Sequence, residues 1–237
     1  MLNGKTHYFL TALYLITMQP IEIVYTHPDF IIINKPCGVS VHKDNNAIGL
    51  TTIVARQLRL PRVWLVHRLD KVTSGLLILA LNEQSAAQLS HLFAQHAIQK
   101  TYLALSVHKP KKKQGVIAGD MAKARGGAWK LTRQRENPAI TRFVSVSCEA
   151  NLRLFVLSPQ TGRTHQLRVA MKSLGSPILG DELYGGKAEK SDRTYLHAYA
   201  LNFIYQGEEI VLRLMPKCGA FFNKNSVREA ICAQKTK

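Results

Sequence analysis

An α+β fold, with a mixed, largely antiparallel central sheet and flanking helices, is predicted by three features of this sequence. Short apolar or alternating runs recur along the chain, most of them in pairs separated by turn residues, which is hairpin order. Only a few segments show helical spacing, and these are interspersed among the strands rather than gathered in one half. At the centre, residues 66–80 read VHRLDKVTSGLLILA, placing one acid, Asp70, between two apolar runs and directly after an arginine and a leucine.

In chain order, residues 21–24 and 30–33 form the first strand pair, joined by the turn Thr26-His27-Pro28-Asp29. Asn34-Lys35-Pro36-Cys37-Gly38 breaks the pattern and residues 39–42 resume it as a strand, before a polar loop over residues 44–49. Residues 51–60 carry Ile53, Val54 and Leu58 on one helical face, and Pro61 stops that helix. The runs 64–66 and 76–80 read as buried strands, and Thr73, Ser74 and Gly75 supply the turn between them. Asn82 is placed to cap a helix to about His96, burying Ala86, Leu89, Leu92 and Phe93. Residues 101–107 alternate as a strand, and the lysine-rich segment 108–114 is a charged loop, either a solubilising hairpin tip or a contact for phosphate. Residues 116–138 are irregular and basic, a surface loop or ribbon containing Trp129. Strands at 142–148 and 152–157 turn at Glu149-Ala150-Asn151; a helix over 166–174 ends at Gly175; strands at 196–205 and 209–214 turn around Gly207.

The chain has 237 residues, 46% of them hydrophobic and 20% charged, the balance of a folded globular protein. Residues 1–17 are an apolar tail, too short for a membrane span and without a small-residue cleavage site, and are expected either to be appended to the domain or to lie upstream of a native start at Met18; residues 18–237 are expected to form a single domain. Lys and Arg total 32 against 15 acids, and a net charge of +17 calls for a polyanionic partner, with nucleic acid the commonest. An anionic membrane fits less well, because no long basic amphipathic helix is visible. Cys37, Cys148, Cys218 and Cys232 show no paired spacing, and His91 and His96 are five apart, so neither a disulfide frame nor a metal site is expected.

Three stretches carry groups with chemical potential. The first is the central one. The second, residues 99–104, QKTYLA, puts Lys100 and Tyr102 on one face of a strand. The third, residues 158–168, SPQTGRTHQLR, gathers Arg163, His165 and Arg168 where a loop enters a helix, a place where backbone amides and arginines can meet phosphate.

Together these stretches resemble the RluA-type pseudouridine synthases. The match is carried by VHRLDKVTSGLLILA, QKTYLAL, PQTGRTHQLRV with GSPILGDELYG, and more weakly by residues 29–42 with Asn34-Lys35-Pro36, Gly38 and Val41-His42. It spans residues 20–222 and departs at Ala170, where a histidine is common, at the 44–49 loop, and near Tyr205, where a His-Pro pair is missing. The resemblance implies a stand-alone catalytic domain with an RNA-binding cleft across the sheet and no appended N-terminal RNA-binding domain. It implies isomerisation of uridine in RNA to pseudouridine, without a cofactor or metal. Asp70 would be the catalytic carboxylate, as nucleophile or as base; Arg168 would keep it charged and aimed; Tyr102 would pack against the target base, and its hydroxyl would assist proton removal at C5. Arg68 would hold the RNA once the nucleotide has flipped, and Arg163 and His165 would contact phosphate or the pocket rim. The expected partner is a stem-loop of ribosomal or transfer RNA, met in the cytoplasm by a monomer.

The alternative is an inactive RNA-binding module on the same fold. Other nucleic-acid enzymes fit poorly: a zinc deaminase needs a His/Cys cluster, and the glycines at Gly126-Gly127 and Gly185-Gly186 lack the strand-to-helix setting of a cofactor loop. A two-carboxylate glycosidase finds no second acid near Asp70 in sequence.

Overall fold

The computed structural model describes residues 20–41, 48–185 and 191–234. The tail expected over 1–17 and most of the 44–49 loop lie outside these residues. The strands are β1 (Ile23–Thr26), β2 (Phe30–Lys35), β3 (Trp64–Leu65), β4 (Ser74–Ala80), β5 (Gln99–Ser106) and β6 (Gln114–Gly119), then β7 (Met121–Lys123), β8 (Trp129–Leu131), β9 (Ala139–Glu149), β10 (Leu152–Pro159), β11 (Leu196–Tyr205) and β12 (Glu208–Arg213). The helices are α1 (Leu50–Gln57), α2 (Glu83–Ala94), α3 (Gln166–Ser173) and α4 (Asn225–Ala233). Ten strands make one sheet in the order β1-β2-β4-β11-β5-β10-β9-β6, with β3 added to β4 and β12 to β11, while β7 and β8 form a separate ribbon. Of the pairings, β4 with β11 is parallel and the others are antiparallel, so the sheet is mixed and largely antiparallel.

The parallel junction sits mid-sheet because β4 is apolar on both faces. Leu76, Ile78 and Ala80 pack with Phe30, Leu89 and Phe203 on one side, and Leu77 and Leu79 pack with Ile31, Leu50 and Val54 on the other. A second core joins β5, β9 and β10 to α3 and α4 through Phe155, Met171, Phe222 and Ile231. At the junction a row of residues runs Gly75, Ala198, Tyr102, Leu157 across four strands. Gly75 has φ +107°, and a Cβ there would lie 2.3 Å from the Ala198 carbonyl oxygen, so this close approach requires glycine.

Most elements form where the sequence places them, and Asn82 caps α2 by accepting the Ser85 N–H at 2.8 Å. The strand expected at 39–42 does not form over the described part of it. The carbonyls of Pro36 and Val39 accept instead from the buried Lys35 ammonium, at 2.9 and 2.7 Å, so a lysine replaces the ladder there. Residues 116–138 prove more regular than expected, since they contain the end of β6 and the β7–β8 ribbon. Helix α4 has no counterpart in the sequence reading. Its buried stripe is only Val227 and Ile231, and no side chain caps its start.

Candidate active site

Asp70 lies in the loop between β3 and β4, which is fixed from several directions. Leu69 and Thr73 are buried on either side, the Thr73 N–H bonds the Asp70 carbonyl at 3.0 Å, and the Lys71 carbonyl accepts from Gly38 N–H at 2.8 Å and Lys35 Nζ at 3.3 Å. At the head of β4, Arg193 Nη2 donates to Ser74 Oγ at 2.7 Å, and Ser74 Oγ bonds His197 Nδ1 at 2.8 Å. His197 Nε2 donates to the Leu214 carbonyl at 2.9 Å, which leaves Nδ1 to accept from serine. Burial pushes this histidine down to about 4, so at neutral pH it is uncharged, as the network requires. The backbone is thus anchored while the Asp70 carboxylate, 18% exposed, faces a cavity.

That carboxylate is not a turn cap. Among the described residues its ion-pair partner is Arg168 of α3, with Nη1 3.6 Å from Oδ2, and not the adjacent Arg68. Arg168 is held by Asp181, which takes Nε at 2.7 Å and Nη2 at 2.8 Å and also accepts the N–H groups of Leu183 and Tyr184. The Arg168 guanidinium lies over the Tyr184 ring, 4.9 Å from its centroid. Asp181 is therefore the second carboxylate that the linear sequence did not show beside Asp70, but its side chain is fully buried and committed to Arg168.

Tyr184 ties this cluster to the ribbon. Its hydroxyl accepts the Trp129 N–H of β8 at 2.9 Å and lies 2.9 Å from His165 Nδ1. His165 has φ 57° at the start of α3, and burial lowers its pKa against the pull of Asp70. The preceding loop is locked by Gln166, whose Oε1 accepts from Thr161 Oγ1 and Arg163 N–H while its Nε2 donates to the Ile140 carbonyl and Thr141 Oγ1. The amide of Arg163 is thereby taken up within the loop.

A cavity of about 540 Å³ opens over the parallel junction, lined by Asp70, Tyr102 and Arg168 together with Arg68, Arg163 and His165. All six residues singled out from the sequence thus meet around one space. Arg163 also bonds Asn137, which steers it along the rim. Arg68, His165 and Arg168 border a smaller cavity of about 210 Å³ on the other flank of Asp70. Tyr102 is held as a phenol: burial, with the Asp70 charge adding to it, raises its pKa well above the usual value. The sequence reading passed over Asp181, Tyr184 and Gln166. The first two stand in the GDELYG run, where a carboxylate and an aromatic directly after an apolar segment were the available signal.

The family model described as RNA pseudouridylate synthase matches residues 29–173. An "Uncharacterized RNA pseudouridine synthase" of Haemophilus influenzae is 67% identical, covering 92% of this chain and 97% of its own. A "Ribosomal large subunit pseudouridine synthase C" of Rickettsia bellii is 35% identical over 85% of this chain and 70% of that one. Among solved structures, Human RNA Pseudouridylate Synthase Domain Containing 4 superposes with a TM-score of 0.72 at 26% identity, covering 94% of this chain and 98% of that one. With the matched segment taking in both the Asp70 loop and the Arg168 helix, the chain belongs to the RNA pseudouridylate synthase family.

Proposed function

We propose that this RNA uridine isomerase works through Asp70, which attacks the ribose or the base, or takes a proton from the sugar, after the nucleotide has flipped into the cavity. The observation carrying this reading is the shared cavity in which Asp70, Tyr102 and Arg168 converge. In the reaction the bond from C1′ to N1 breaks, the uracil turns, and C5 bonds to C1′ while C5 gives up its proton and N1 gains one. Atoms and electrons balance within the nucleotide, so the step calls for no redox or group-carrying cofactor. Arg168, oriented by Asp181, aims and electrostatically supports the carboxylate without claiming its lone pairs. We assign Tyr102, held as a neutral phenol by burial, the packing of the uracil face, and its hydroxyl a share in removing the C5 proton.

Arg68 holds the flipped strand, and Arg163 and His165 meet phosphate or the rim. The substrate is a stem-loop of ribosomal or transfer RNA, and the name of the Rickettsia bellii relative favours the large ribosomal subunit. The protein acts as a monomer in the cytoplasm, as one domain over residues 18–237; no described helix is long and apolar enough to cross a membrane. The inactive binding module is not favoured, because the carboxylate, the arginine and the aromatic are all in place around one cavity.

The test maps pseudouridine by mass spectrometry in RNA from cells lacking the protein, complemented with wild type or Asp70→Asn. Wild type restores specific sites; Asp70→Asn restores none while still binding RNA. Equal product from both would overturn the assignment.

A further inference from the structure

The QKTYLA motif places two side chains on one face of β5, and the proposed reaction uses only Tyr102. Lys100 projects the same way and lines the same cavity. The same cavity is also lined by His67, Phe93, Ala94 and His96. His67 lies flat on Phe93, with ring centroids 4.2 Å apart and an interplanar angle of 24°, and accepts the Ile78 N–H at 3.0 Å. Burial, then the Lys100 charge, pushes His67 down to about 3, so it is a neutral bracket. Lys100 Nζ sits over the Phe93 ring, 5.6 Å from its centroid.

Lys100 is half-buried, and among the described residues no carboxylate reaches it at ion-pair distance. Burial lowers its pKa, the mark of a desolvated ammonium lacking a matching anion. Asp70 is the only acid among the described residues lining the cavity. A partly desolvated cation facing open space is stabilised by an anionic ligand and gains little from a neutral base.

We infer that the cavity holds a phosphodiester subsite, in which Lys100 binds the RNA backbone phosphate nearest the flipped uridine. The inference rests on the reading that a uridine enters beside Asp70. Side chains two apart on a strand are separated by about 7 Å, the order of the distance from a base to its own phosphate within one nucleotide. Lys100 thereby sets how deep the nucleotide descends, with the uracil against Tyr102 and its phosphate one step further along the same strand.

The experiment measures steady-state pseudouridine formation on bulk RNA from cells lacking the protein, over a series of KCl concentrations, for wild type, K100M, K100Q and K100R. K100M flattens the slope of log kcat/KM against log salt by about 0.7–0.9, the loss of one phosphate contact. Its KM rises about tenfold, and kcat changes by less than KM does. K100R keeps the wild-type slope. The thermal midpoint of K100M does not fall, since a half-buried charge without a carboxylate has been removed. Should K100M fail to fold, K100Q supplies the same slope comparison. A wild-type slope in the methionine or glutamine variant, or the same flattening in K100R, overturns the subsite. Absence of product from wild type itself would instead overturn the isomerase reading, so the two failures are distinguishable.

Discussion

Arg168 gives its short hydrogen bonds to Asp181, at 2.7 and 2.8 Å, and offers Asp70 only its outer nitrogen at 3.6 Å. The guanidinium is therefore oriented from behind, by an acid that does not line the cavity, while the acid that lines it is met only by the longer contact. This division of labour predicts that Asp181→Ala is worse for the fold than Asp70→Ala. It leaves a buried guanidinium short of its main partner, at a cost of about 3–5 kcal/mol. Urea unfolding of the two variants checks this, and equal midpoints would refute it.

Tyr184 predicts a separable effect. Tyr184→Phe keeps the ring under Arg168 but deletes the hydroxyl shared by Trp129 and His165. The Trp129 amide loses its acceptor, at a cost of about 1–3 kcal/mol if no water replaces it. Faster hydrogen exchange at Trp129 and a higher KM for RNA are expected, since the ribbon is released from the site. Unchanged exchange at that amide would show that the phenol does not hold the ribbon.

Particular residues show why some of this was legible beforehand. The β4 run reads as buried because both of its faces meet a core, which leaves no polar alternation to confuse the pattern. Asp70, Tyr102 and Arg168 stand in compact motifs, so a family resemblance could assign them together. The parallel pairing of Ser74 with His197 was not readable, because 123 residues separate them and neither flank records the other. Asp181 was missed although it is only 13 residues from Arg168, because its meaning depends on a fold-back after the end of α3. The β7–β8 ribbon hid in polar, basic sequence, where its turn depends on Gly126 at φ +65° and Gly127 at φ +76°.

The buried histidine of that long-range pairing predicts a pH dependence. His197 is neutral in the fold down to about pH 4, whereas the unfolded chain takes up a proton near 6.5. Between these values the unfolded state binds more protons, so stability is complete above 6.5 and declines as the pH falls toward 4. The slope for this one group is at most about 1.4 kcal/mol per pH unit. His197→Gln removes the titration, so its urea midpoint, though lower at neutral pH, falls less steeply over the same window. Parallel acid limbs for the two proteins would remove His197 as the cause.

Target choice is expected to lie in residues 109–135, where the lysine tip and β6 lead into the β7–β8 ribbon. Lys109, Lys111, Lys112 and Lys113 crowd the tip, while Lys123, Arg125 and Lys130 line the ribbon, a charge density suited to RNA phosphates beyond the flipped nucleotide. Tyr184 bonds the ribbon at Trp129 and His165 at the cavity, so contacts made by the ribbon are mechanically tied to the site that receives the uridine. Replacing residues 109–135 with the matching segment of a synthase of known target should move pseudouridine to that enzyme's site, while Asp70→Asn in the chimera again abolishes product. Mapping of total RNA reads both results together. If the chimera modifies only the original positions, selection resides in the walls of the cavity and not in this segment.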